Sequence, residues 1–467
     1  MPLILPGNVA SAIGGGYEVA NSLRFDGSSD TLTRTPSSET NRKTFTISTW
    51  VKFSATESML FSVGADANNR SYIILTSDNI VIENRDSGTK NVNLITNRKF
   101  RDYSGWYHIV LEVDTTQATN SNRVKIYVNG EQETSFSTET YPSQNQDWDF
   151  NTTSIHYIGR NAWSSGNFMN GYLAEFVFID GLALAPTSFG EFDEDSPTIW
   201  KPKNVSGLTF GTNGFYLDFA DSGDLGDDES GNGNDFTETN LAATDQATDT
   251  PTNNFATINP LDNYFYAATL SEGNLKQTCN SSNYSFGTNT FGVSQGKWVV
   301  EVKIESGSTV RNIIGITDKV STGTTDELSS LANAWSYISA GNIYNNGSDI
   351  GGSYDSFTTN DIIGIYLDLD NNKLYFSKNG TVQNSGTGIS ITAPSSTTNG
   401  VYFFAFGDYG SSDDSVNNVN FGSPAFAISS GNTDGEYGNF EYTTTITGDS
   451  ASKTFKALNT KNLSEFG

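Results

Sequence analysis

The chain has one cysteine, Cys279, in 467 residues. No disulfide can form within it, and Cys279 reads as a small buried hydrophobe. The two histidines, His108 and His156, sit in strand-like patterns as structural residues, and with one thiol they offer no cluster for zinc or a redox metal. Cations are few: 26 Lys and Arg stand against 53 Asp and Glu, a formal charge of −27. Phosphate contacts need clustered Lys and Arg, so a nucleic-acid binder is excluded and an anionic membrane disfavoured. The acidity fits solubility, and also a particle surface that must not aggregate. Long apolar runs are missing too, so no segment reads as membrane-spanning. The opening Met1–Gly7 has no basic region and too short an apolar run for a signal peptide. No window sustains a 3.6-residue apolar period. Helix is therefore expected below about 10%, against the ~30% of average proteins. Turns near Ala183–Asp193 and Asp326–Ala334 are the exceptions.

Alternation and turn signals are abundant. Ile362–Asp368 and Lys373–Ser377 flank the polar turn Asp370–Asn371–Asn372, and the second run stops at Asn379–Gly380. A similar unit comprises Val110–Asp114, a polar spacer and Lys125–Gly130. Alternating runs bounded by Asn-Gly are a strong hairpin signal. Aromatics at 12%, with many Thr and Val, favour pleated, half-buried surfaces. The expected fold is all-β: two tandem antiparallel sandwiches of jelly-roll type behind an extended amino-terminal arm.

Residues 1–20 read as that arm, because Pro2, Pro6 and Gly14–Gly16 discourage regular structure. Its Leu3, Ile4 and Leu5 have no domain of their own to cover them and are the candidate anchoring residues. Residues 21–220 form the first sandwich, and 221–253, rich in Asp, Gly, Asn and Thr, read as a polar linker. Residues 254–467 form the second sandwich, with Phe455–Leu463 returning onto its sheet.

In the first region Phe45–Val51, Trp106–Val110, Val124–Gly130, Ile158–Arg160 and Phe168–Phe176 resemble, in order, the motif series of laminin-G-like, concanavalin-A-type lectin domains. That fold hosts lectins, adhesion modules and glycosidases, so the resemblance implies a fold more than a ligand. In the second region Lys297–Glu301, Asn312–Ile316, Gly364–Asp370, Leu374–Gly380 and Val419–Gly422 resemble the SPRY domain, which recognises partners through loops. Taken with Asp221–Phe236, Asp249–Pro260 and the opening Met1–Ala12, the order of domains is similar to a type of structural protein from tailed, especially marine, bacteriophages. That resemblance implies a virion component at the particle surface: a tail or head fibre or a decoration protein.

Three kinds of site are candidates. Trp148, Trp163 and Trp335 lie in polar, loop-like surroundings, where an indole either stacks on the apolar face of a sugar or seals a sandwich edge. Trp50, Trp106 and Trp298 lie in strand patterns and read as core. Asp228, Ser230 and Asn232, with Gly233, match the first half of a calcium loop, but Thr239 stands where a bidentate Glu is needed; the alternative is a plain turn. Glu191–Asp195 and Glu112–Asp114 begin the Glu-x-Asp-x-x-Glu pattern of glycosidases on this fold, yet their sixth positions are Ser196 and Gln117. The first of these also lies between Pro186 and Pro197, which argues against a strand. The expectation is a non-enzymatic, oligomeric virion adhesin. It would hold other virion proteins by its arm and bind host-surface glycan or protein, with Ca2+ an optional cofactor. A cementing role and a polysaccharide hydrolase are the alternatives.

Overall fold

A computed structural model describes residues 16–264, 267–279, 284–306, 311–319, 327–410, 415–429 and 435–467, with side chains omitted at 263 and 264. Strand makes up 45% and helix 6%, so the chain is all-β as expected. Short 3-10 turns at Pro186–Ser188 and Leu328–Ser330 fall within the two stretches flagged for turns. Two compact units divide between Thr252 and Asn253.

The first unit contains β1 (Ser22–Asp26), β2 (Thr31–Arg34), β3 (Thr44–Phe53), β4 (Glu57–Asp66), β5 (Asn69–Thr76), β6 (Asn79–Asp86) and β7 (Thr89–Thr96). There follow β8 (Tyr107–Asp114), β9 (Val124–Val128), β10 (Glu131–Glu133), β11 (Phe136–Thr140), β12 (His156–Ile158) and β13 (Asn170–Asp180). Five short strands complete it: β14 (Gly190–Phe192), β15 (Trp200–Pro202), β16 (Phe215–Leu217), β17 (Thr237–Thr239) and β18 (Gln246–Ala247). Sheet I has the order β10-β9-β8-β3-β13-β1-β18, with β16 also on β13; sheet II has the order β11-β7-β6-β5-β4-β12-β2-β17. The β9–β10 turn uses Asn129 at φ 51° and Gly130 at φ 79°, the left-handed pair that an Asn-Gly hairpin requires.

Alternation along β3 sends Phe45, Ile47, Val51 and Phe53 into the core between the sheets, and Trp50 and Lys52 outward. Strand β13 does the same around a bulge, where Glu175 takes φ 51° and the register with β3 shifts. The bulge returns Phe176 and Phe178 to the core while Val177 and Ile179 face outward. The outer face of sheet I is not left to solvent. The β14–β15 hairpin brings Trp200 beside Trp50, and Phe189, Val205, Phe210 and Tyr216 cover Val110, Val177 and Ile179. Each such side chain removed from water contributes about 1.5–3 kcal/mol.

Two expectations need correction. Residues 221–252 are not a linker: Leu225 and Phe236 enter the core, β17 pairs with β2, and β18 pairs with β1. Arg24 meets Asp245 at 2.9 Å and Lys52 meets Asp249 at 2.7 Å, both buried pairs. Leu225 and Phe236 in the core, Leu241 packed against it and two pairing acids fix a segment whose composition is otherwise polar. The arm is shorter than 1–20, because Tyr17 bonds Glu175 and Tyr216 and Val19 is buried. Leu3, Ile4 and Leu5 lie outside the described residues.

In the second unit Lys297–Ser306 pairs with Ile362–Asp368 and Val416–Asn420, and Asn312–Thr317 pairs with Ala334–Ile338 and Phe403–Asp408, all antiparallel. Trp298, Ile314, Tyr337, Leu367, Phe376 and Phe404 fill the core between its two sheets. Lys456–Ala457 adds a parallel strand beside Trp298–Val299. The closing helix, Thr460–Phe466, is capped by Asn459, whose side chain accepts from Asn462 N.

A candidate carbohydrate-binding face

The outer face of sheet II carries a row of residues in register across seven strands. From β17 to β7 it reads Thr237, Thr33, Tyr157, Ser62, Tyr72, Glu83 and Asn93. All are polar or carry a hydroxyl. Over its middle lies the loop between β12 and β13, held by Asn161 N to Gly166 O at 3.2 Å and by Met59 N to Asn167 O at 3.2 Å.

Trp163 projects from this loop. Its indole packs on Met59, Ile74 and Val81 and tilts over Tyr72 with ring centroids 5.2 Å apart. The Arg70 guanidinium sits 4.2 Å from the Trp163 ring centre and 5.4 Å from that of Tyr72. Arg70 is oriented by Glu83, whose Oε1 accepts from Arg70 Nε at 3.0 Å and Nη2 at 2.9 Å. Arg85 approaches the same carboxylate to 3.3 Å and Lys90 to 2.6 Å. Burial alone would raise the Glu83 pKa, but hydrogen bonds and charge from Lys90 and Arg70 hold it below the usual range. The same burial, with Glu83 beside it, pushes the Tyr72 phenol up, so it stays a neutral donor. A second aromatic–cation pair stands on β12, where Arg160 lies 4.7 Å from the Tyr157 ring centre.

At the β2–β17 edge the row opens into a cleft of about 360 Å3 lined by Thr33, Arg34, Thr35, Ser37, Asn234 and Thr237, among others. Arg34 donates to Asn213 O at 3.3 Å and to Asn234 Oδ1. Burial lowers its pKa, opposed by Asp228, Asp235 and Asp180. Half-buried aromatics next to fixed hydroxyls, amides and a guanidinium supply what a sugar ring needs: an apolar platform and oriented polar partners.

The other candidates are placed differently. Trp148 is fully buried, edge-on to Phe45 at 5.6 Å and stacked on Phe150 at 6.0 Å, so it is core and not a loop platform. Trp335 is buried in the strand Ala334–Ile338 of the second unit, edge-on to Tyr402 at 6.1 Å. Of the three, Trp163 alone is on an open face. The Asp228 carboxylate accepts from Tyr216 N at 2.9 Å, Ser230 N at 3.0 Å, Ser230 Oγ at 2.8 Å and Asn234 N at 2.8 Å. Asn232 donates to Gly211 O and Gly214 O. These are the bonds of a turn, and they leave Asp228, Ser230 and Asn232 committed to the backbone rather than converging on an ion. Among the described residues no three His, Cys, Asp or Glu side chains are grouped to hold a metal.

The acidic motifs are also engaged. Contrary to expectation Glu191 does lie on a strand, yet it and Asp193 share Lys201, at 3.7 and 3.2 Å. Glu112 accepts from Lys125 Nζ at 2.8 Å and Tyr127 OH at 2.9 Å, and Asp114 closes a turn through Thr116. His108 Nδ1 accepts from Trp200 Nε1 at 3.0 Å, which leaves Nε2–H to donate to Ser48 Oγ at 2.8 Å. That tautomer cannot take a proton from the serine. Burial lowers the pKa of both histidines to about 3.

Sequence reasoning missed Arg70, Tyr72, Glu83, Tyr157 and Arg160. The alternation of β5 and β6 signals that Tyr72 and Glu83 each face away from the core, but their pairing needs the strand register.

Residues 26–186 match the family model of the concanavalin A-like lectin/glucanases superfamily, and residues 297–408 match that of the SPRY domain. Among solved structures the chain is similar to the SPRY domain of human HERC1, at 18% identity over 35% of this chain and 96% of that one, with a TM-score of 0.29. It is also similar to stonustoxin, at 18% identity over 35% of this chain and 27% of that one, with a TM-score of 0.26. No curated protein matches it. The chain thus contains a laminin-G-type, concanavalin A-like domain followed by a SPRY domain.

Proposed function

We propose that this protein is a non-enzymatic adhesin carried in several copies on the surface of a tailed-phage particle, and that the sheet II face around Trp163 holds host-surface glycan. The observation that carries the reading is the open face itself: Trp163 and Tyr72 side by side, Arg70 fixed over both, and a polar cleft in register with them. A sugar seats its C–H face on the exposed rim of the Trp163–Tyr72 pair while Arg70 and the threonine hydroxyls meet its oxygens. One such platform binds weakly, and useful strength comes from many copies. The virion setting is supported by the sequence resemblance spanning the arm and both domains, with Leu3, Ile4 and Leu5 as the segment that holds other capsid or tail proteins.

The test presents the full chain on beads to host cells and to their extracted polysaccharide. Retention that soluble polysaccharide competes away is expected. Release of new reducing ends would turn the reading into a hydrolase, and no retention on any host surface would turn it into a cementing protein.

A further inference from the structure

We propose that Lys52 and Asp249 become joined by an amide bond between their side chains, a self-formed cross-link that fastens the end of the first domain to its central sheet. Lys52 leaves the outer face of β3, and both partners are essentially out of contact with water, with side chains 0% and 2% exposed. Lys52 Nζ lies 2.7 Å from Asp249 Oδ2. A nitrogen in hydrogen-bond contact with one carboxylate oxygen stands within about 3–3.5 Å of the carboxyl carbon, the separation of a near-attack pair. The other oxygen, Oδ1, accepts from Trp106 Nε1 at 3.1 Å, a donor placed where negative charge would develop on attack. Tyr172 closes the site, its ring centre 5.6 Å from Nζ. The backbone of Asp249 is held as well, its carbonyl accepting from Ser22 Oγ at 2.6 Å.

The chemistry needs no further reactant. The ammonium passes one proton to Oδ2, a transfer that burial favours because it replaces two desolvated charges by two neutral groups. Burial already weakens the hold of Lys52 on its proton, against the pull of Asp249. The amine attacks Cγ, and charge moves to Oδ1 under the Trp106 N–H. A second proton goes from nitrogen to Oδ2, the Cγ–Oδ2 bond breaks, and water leaves. One carbon–nitrogen bond forms, one carbon–oxygen bond breaks, and nothing is oxidised or reduced. The neighbouring buried pair, Arg24 with Asp245, has no such route, because a guanidinium that keeps its proton is not a nucleophile.

Intact mass spectrometry of the full chain, unfolded before measurement, tests this. The wild type should be lighter than its sequence by one water, with the peptides carrying Lys52 and Asp249 recovered as one branched species. Lys52→Met and Asp249→Ala should each run at their sequence mass. Asp249→Asn, which offers ammonia as the leaving group, should be lighter than its own sequence by one ammonia. Wild-type protein at its full sequence mass, with the two peptides separate, overturns the proposal whether or not the variants fold.

Discussion

In the first domain the outer face of sheet I lies beneath residues 184–216 of its own chain, whereas the outer face of sheet II carries, among the described residues, the short loop of Trp163. The two faces differ in chemistry accordingly. Sheet I presents Trp50, Val110, Val177 and Ile179, which must be covered to contribute to stability. Sheet II presents half-buried Tyr72, Thr33 and Tyr157, and a buried Glu83 whose carboxylate is met by Arg70, Arg85 and Lys90. Both faces use tryptophan next to a nitrogen-bearing side chain, and the arrangement separates their roles. Trp200 is sealed, its N–H spent on His108 and its ring against Phe192. Trp163 is half open, with a cation above it that can also meet a ligand. A face buried by the chain itself is structure; a face kept open with oriented aromatics is available for recognition.

The largest expected effect falls on the covered face. Trp200→Ala empties a buried site and should cost about 3–5 kcal/mol, read from the denaturant midpoint, while glycan retention by the folded fraction is unchanged. Glu175 sharpens the same side. It is buried on the β13 bulge against Tyr17 and Tyr216, and burial, followed by these hydroxyls, sets its pKa at about 7. Between about 4.5 and 7 the folded state keeps a proton that the unfolded chain has released, so ionising Glu175 opposes folding. The domain should therefore lose stability from this group as pH rises through that window, on the order of 3 kcal/mol. Glu175→Gln should remove the dependence, seen as a stability difference between the two proteins that grows from pH 4.5 to 7. The buried histidines act in the opposite sense, since below about 6.5 the unfolded chain takes up protons that the folded one refuses until about 3.

The turn at Asp228 gives a smaller effect. Asp228→Ala removes an acceptor from Tyr216 N, Ser230 and Asn234 and should cost about 1–3 kcal/mol. Added Ca2+ should leave the wild-type melting temperature where it was, and a rise would restore the calcium reading. The smallest effect on stability is expected for Trp163→Ala, about 1 kcal/mol, because the indole is only half covered.

What was legible in the sequence is local. The hairpin at Asp370–Asn372 is encoded by alternation and turn residues, and so is the stop at Asn379–Gly380, both with φ near 50–80°. The segment 221–252 was not legible, because Leu225 and Phe236 are lone apolar residues in a polar run and their value depends on a core built elsewhere. Trp148 misled for the same reason: Asp147 and Asp149 flank it, yet the loop turns its indole inward onto Phe45. The candidate face was half legible. Trp163 could be named from its loop, but its partners Tyr72 and Arg70 come from a different strand and are brought to it by register.

The most direct measurement compares wild type, Trp163→Ala and Trp200→Ala on beads at matched folded protein, scored by retention on host polysaccharide. If the open face is the binding surface, retention falls at least about tenfold for Trp163→Ala, the loss of one strong contact multiplied over many copies, and is kept by Trp200→Ala. Equal retention for Trp163→Ala and wild type would contradict the assignment.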